Sequence, residues 1–186
     1  HASKIKTIDA LKDKVKPSLD KIHQQRRQEK ESNLSISRGD AELVHHDPEN
    51  GVKVYKVHNQ SGGCAVGAGT KWCTADKDSL ADGEDIVRQY DPTGNNSLVL
   101  HLDKEKGKLS RIGIFGVKPG QVHKSGVGGN FQDKGNVTVS DRNWEHVRSK
   151  YNLDSIPALR GIRGISDGKS KEEHIRDIDT ALSGTD

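Results

Sequence analysis

The chain has 186 residues, a formal charge of +3 at neutral pH and only 4% aromatic residues. Leu, Ile, Val and Phe make up 40 of those residues, just above the disordered range of composition, and the net charge is small, so a lean folded core is expected. No apolar run approaches the roughly 18 residues of a membrane-spanning helix, so that class is excluded, and no run reads as a signal-peptide core.

The length suits one domain with a helical appendage. There is no methionine, and His1-Ala2-Ser3 reads as a tag scar or a processed end, with the protein starting near Lys4 and excised from something longer. Four parts are expected: residues 1–3, a basic amphipathic helical segment at 4–38, an α+β domain at 39–160, and a C-terminal helical tail at 161–186. Cys64 and Cys73 are too few for a disulfide framework, which points to a reducing compartment.

Residues 4–31 carry nine basic and five acidic residues, and the rest of the chain is close to neutral. Ile5, Ile8, Leu11, Val15, Leu19 and Ile22 recur at steps of three and four, one stripe of an amphipathic helix that should dock on the domain or on a second copy. Pro17 is expected to kink or restart that helix. The charge leaves a nucleic-acid arm as a further reading, with Lys118, Lys124 and Lys134 as additional phosphate contacts. Three Tyr, two Phe and two Trp are too few for a base-stacking platform.

Residues 41–58 read as a hairpin around Pro48-Glu49-Asn50-Gly51, with Val52, Val54 and Val57 supplying β-branched residues. Asn59 to Gly69, with four glycines, reads as a loop. Leu80 to Tyr90 reads as one short helix ended by Asp91-Pro92-Thr93-Gly94-Asn95. Residues 97–103 and 109–117 read as strands of a second hairpin, and 118–135 as a long Gly-rich surface loop. A short strand at 136–139, a helix capped by Ser140 or Asp141, and a last helix from Ser170 to about Leu182 complete the chain. The order implies an α+β fold with a mainly antiparallel sheet of hairpins and flanking helices.

Gly67-Ala68-Gly69-Thr70-Lys71-Trp72-Cys73-Thr74-Ala75 is the most distinctive stretch. It resembles the G-x-G-T-K-W-C-T-A box of a family of tailed-phage and prophage proteins, in which the box follows a strand and precedes a short helix ending in Tyr, a strand hairpin and an F-x-D element. Ile86 to Tyr90, Leu98 to Leu102 and Phe131-Gln132-Asp133 fit those places, so the likeness covers about residues 52–140. The family's helix commonly brings Phe three or four residues before Tyr, a place that Ile86 matches approximately. The resemblance implies a phage or prophage origin, in the virion or the host cytoplasm, more than a chemistry. Gly69, Thr70, Lys71, Trp72 and Thr74 are the candidate binding residues, with Trp72 and Cys73 expected to pack inward beneath the 62–69 loop.

The leading function is an accessory or virion-associated domain that binds a phage or host protein without catalysis and without a cofactor. The alternative is a cysteine-dependent hydrolase or transferase. Cys73, or else Cys64, would attack, with His101 or His123 as base, since a thiolate needs a base to form. Gln60-Ser-Gly-Gly-Cys64 has an outline similar to papain-type proteases, with Gln60 as oxyanion donor and Asn143 to orient a histidine, but the spacing departs from theirs. Cys64, Cys73, His45, His46 and His58 could ligate a metal, yet Cys-x8-Cys is not a zinc-knuckle spacing and no metal is expected. Gly126 to Asn130 has no following Gly-Lys-Ser/Thr, so it reads as a flexible loop and not a phosphate cradle.

Overall fold

The computed structural model describes residues 8–103, 110–119 and 130–163. The 104–108 turn, His123, most of the Gly-rich loop and the last helix expected from Ser170 lie outside the described residues. The chain runs α1 (Ile8–Ser37), β1 (Ala41–Asp47), β2 (Val52–Val57), α2 (Gln60–Val66), α3 (Lys77–Ala81), α4 (Ile86–Tyr90), β3 (Leu98–Leu102), β4 (Arg111–Phe115), β5 (Asn130–Asp133) and α5 (Asp141–Tyr151). The five strands form one antiparallel meander in the order β1-β2-β3-β4-β5. This is the α+β architecture that the alternating patterns imply.

Strand alternation divides the sheet into two apolar faces. On one, Val52, Val54, Leu98, Leu100, Ile112, Ile114 and Phe131 pack against Trp144, Val147 and Tyr151 of α5. On the other, Val57, Val99 and Phe115 meet Val66, Trp72 and Val87 from the segment between β2 and β3. The layers are therefore helices, sheet and helix. A chain with two Trp and two Phe spends one of each per face. Trp72 meets Phe115 edge to face at 5.8 Å between ring centres, and Trp144 meets Phe131 at 5.1 Å. Each indole N–H also donates to a backbone carbonyl, Trp72 to Asp133 and Trp144 to Ile162.

Several expectations are corrected. α1 runs on through Pro17 for 30 residues. Every described side chain from Ile8 to Arg27 is exposed, so among the described residues of the chain's own domain nothing covers the stripe. Among the described residues only the C-terminal part of α1 packs down, with Ser35 buried, Ile36 against the second core face and Ser32 Oγ donating to the Ala65 carbonyl. The expected loop after β2 is largely the helix α2, capped by Asn59, whose side chain accepts from Gly62 N–H. The single helix expected at 80–90 is two, α3 and α4, parted by Gly83 at φ +79°. Strand β5 falls inside the stretch read as Gly-rich loop, and 136–139 forms only an isolated bridge, Thr138 to Gln132. Ser140 is the cap of α5, accepting from Asn143 N–H at 3.3 Å.

Candidate functional site

The box at 67–75 lies between α2 and the sheet, and its residues divide between core and surface. Trp72 is 2% exposed and its indole lies over Gly113 of β4, where an added Cβ would come 3.1 Å from the ring. Its N–H reaches the Asp133 carbonyl at 2.5 Å and ties the box to β5. Thr74 is buried, and its hydroxyl has no hydrogen-bond partner among the described residues. Thr70 closes the turn before the tryptophan, its Oγ1 donating to the Gly67 carbonyl at 2.7 Å. Gly69 takes φ +83°, a left-handed conformation that costs a residue with a Cβ about 1–2 kcal/mol. Gly69 and Lys71 are exposed and edge a shallow groove with Asp133 and Lys134.

Cys73 does not pack inward as expected; it is exposed. A 3-10 turn begins at Cys73 and rotates its side chain away from that of Trp72. Among the described residues no side chain hydrogen-bonds its thiol. Cys64 is the buried cysteine, its thiol donating to the Asp76 carbonyl at 3.3 Å, and burial pushes that thiol up. Iodoacetamide should therefore label Cys73 in the native protein and Cys64 only in denaturant. Equal native rates would contradict these placements.

Gln60 is not free to serve as an oxyanion donor. It is 1% exposed, and its amide nitrogen donates to the carbonyls of Cys73 at 2.8 Å and Asp76 at 3.1 Å. Its amide oxygen accepts from Ile86 N–H at 3.0 Å and Val87 N–H at 3.3 Å. One buried side chain thus joins α2, the box and α4, with every amide valence used. Its backbone N–H donates to Asp85, the cap of α4.

His101, one of the two candidate bases, is held by Val66. Its Nε2 is 2.6 Å from the Val66 carbonyl and must donate to it, which leaves Nδ1 as the unprotonated nitrogen. Burial, then the charge of Arg111, hold its pKa down at about 4. That is far too weak a base to draw a proton from a thiol at neutral pH. His123 lies outside the described residues. The metal reading also separates: Cys64 is buried, His58 Nδ1 bonds the Gly94 carbonyl at 2.7 Å, and among the described residues no three His, Cys, Asp or Glu side chains converge.

A scan against protein-family models and searches of curated proteins and of solved structures found no match to this chain.

Two features escaped the sequence reading. A polar cleft of about 570 Å³ opens between α1 and the sheet, floored by Lys53, Tyr55, His101, Asp103 and Arg111. Lys53, His101 and Arg111 are register partners on three successive strands, a pairing that no spacing within one strand reveals. Arg111 pairs with Asp103 at 2.6 Å, and Tyr55 rests on the His101 ring at 4.8 Å. The second feature is Asp91, read as part of a turn but 2% exposed. Burial raises its pKa, and hydrogen bonds from Asn96, Thr93 and Ser97 outweigh that and leave it lowered.

His101 gives the fold a pH dependence with a defined sign. Its pKa falls from 6.5 in the unfolded chain to about 4 in the fold, so the unfolded chain binds the extra proton. Its contribution is complete above about pH 6.5 and lost as pH falls toward 4, a change of roughly 3 kcal/mol at most. Urea unfolding across that window should show stability rising with pH, and His101→Gln should flatten the rise. A slope unchanged by the substitution would assign it to other groups. Asp91 acts in a lower window, losing its contribution only as pH falls below about 4.

Proposed function

We propose that this chain is a noncatalytic protein-binding domain of phage or prophage type, and that it acts through α1. The observation that carries this is the row Ile8, Leu11, Val15, Leu19 and Ile22, exposed by 73%, 45%, 40%, 48% and 44% on a helix that, among the described residues, is anchored only at its far end. Large apolar side chains aligned on one helical face mark a contact surface, and an amphipathic helix laid in an apolar groove is a recurrent mode of recognition. The likeness of the 67–75 box to that of tailed-phage proteins supports the setting, in the virion or the host cytoplasm. The bonds that occupy His101 and Gln60 favour a binding role over a cysteine hydrolase.

The test reads the domain and α1 separately. Both tryptophans lie in the sheet's two cores, so their fluorescence reports unfolding of the domain and not of the exposed N-terminal part of α1. Val15→Lys with Leu19→Lys, which keeps good helix formers in place, should leave that melt unchanged. A lowered melt would put the stripe on the chain's own domain and end the reading. DNA titration at low and high salt, with and without residues 4–31, tests the nucleic-acid arm. Binding that falls steeply with salt and vanishes on deletion would replace the protein-binding reading.

A further inference from the structure

Within the described residues, the exposed stripe on α1 reads the same in both directions. Val15 stands at its centre, with Leu11 and Leu19 four residues to either side and Ile8 and Ile22 seven to either side. At 100° per residue the five side chains fall within about 80° of the helix circumference. Pro17 lies roughly opposite, about 160° away, so its ring does not interrupt the stripe. We infer that the partner seated on this face is a second copy of the chain, its α1 antiparallel to the first across a twofold axis at Val15.

In that arrangement Ile8 meets Ile22, Leu11 meets Leu19 and Val15 meets itself, an isologous contact in which each side chain faces one of its own kind. A stripe shaped for an unrelated surface has no need of that symmetry. The charges on one flank agree with it. A shallow groove along this face is edged by Lys12, Lys16, Asp20 and His23. In an antiparallel pair like flanks face each other, which brings Lys12 of one copy within about 3 Å, measured along the axis, of the second copy's Asp20. Lys16 lies near the axis and opposes the pairing, as does the net positive charge of residues 4–31. Ten large side chains from two copies bury on the order of 1,000 Å² in all, at the low end for specific interfaces.

This inference rests on the reading of α1 as the binding surface and adds the occupant. Salt separates it from phosphate binding: screening weakens contacts to nucleic acid but relieves the repulsion between two basic helices. Sedimentation velocity of the full chain, from low to high micromolar concentration, should show monomer passing to dimer, with more dimer at higher salt. Val15→Lys should stay monomeric throughout. Orientation is read by disulfide trapping in a Cys73→Ser background: Leu11→Cys mixed with Leu19→Cys should cross-link faster than either alone, and Val15→Cys should link to itself. Leu11→Cys linking fastest to itself would show a parallel pair and overturn the inference. A wild-type chain that stays monomeric at every concentration and salt would overturn it too. The tryptophan melt of Val15→Lys then decides separately whether the stripe is free for another protein, when unchanged, or belongs to its own domain, when lowered.

Discussion

Trp72→Ala is expected to destabilise the protein by about 3–5 kcal/mol, the range for emptying a fully buried aromatic site. Trp72 is the largest side chain of the core shared with Val66 and Val87 and packs edge to face on Phe115. The truncation also leaves the Asp133 carbonyl without its indole donor, a second loss of about 1–3 kcal/mol if water does not replace it. For a chain of this size a loss of about 3–5 kcal/mol lowers the melting temperature by about 6–20 °C. Trp72→Phe separates the two terms, keeping much of the ring volume while losing the N–H. Urea titration of both variants checks the ranking. A wild-type midpoint for Trp72→Ala would mean that the indole is not part of the core.

The two hairpins and α5 were legible because their apolar residues keep strict local periods, two for Val52, Val54, Leu98 and Leu100 and three to four for Trp144, Val147 and Tyr151. Helix α2 was not, because Gln60-Ser-Gly-Gly has the composition of a loop. Its glycines serve close packing, and its position is fixed by Gln60, whose four partners lie 13 to 27 residues away. Strand β5 was hidden for a related reason: Phe131 alone marks it, and its neighbours read as Gly-rich turn. The box was recognised as a unit, yet adjacency in sequence misplaced Cys73, since one turn of 3-10 helix suffices to put it outside while Trp72 stays in. Periodicity also identified the α1 stripe without showing that it is uncovered. A repeating pattern shows that an apolar face exists, and only the position of the helix shows what lies against it.

Gly63→Ala is the substitution expected to do most damage for its size. A Cβ built at Gly63 falls 1.9 Å from the Thr74 carbonyl oxygen and 3.1 Å from Val87 Cγ2. The first contact is with backbone, so no rotamer change relieves it, and α2 must move off the box. That movement would strain the bonds from Gln60 to Cys73 and Asp76 as well. The cost should reach roughly 3 kcal/mol or more, the upper end for inserting one methyl into a packed site. For a chain of this size that is a fall in melting temperature of about 6–12 °C. Gly69→Ala is the control. Gly69 sits at φ +83° with nothing within 4 Å of its missing Cβ, so only backbone strain of about 1–2 kcal/mol applies. Differential scanning calorimetry of the two variants should place Gly63→Ala well below Gly69→Ala. The reverse order would show that α2 does not lie against Thr74, and that the box is held by its turn and not by the packing of the helix upon it.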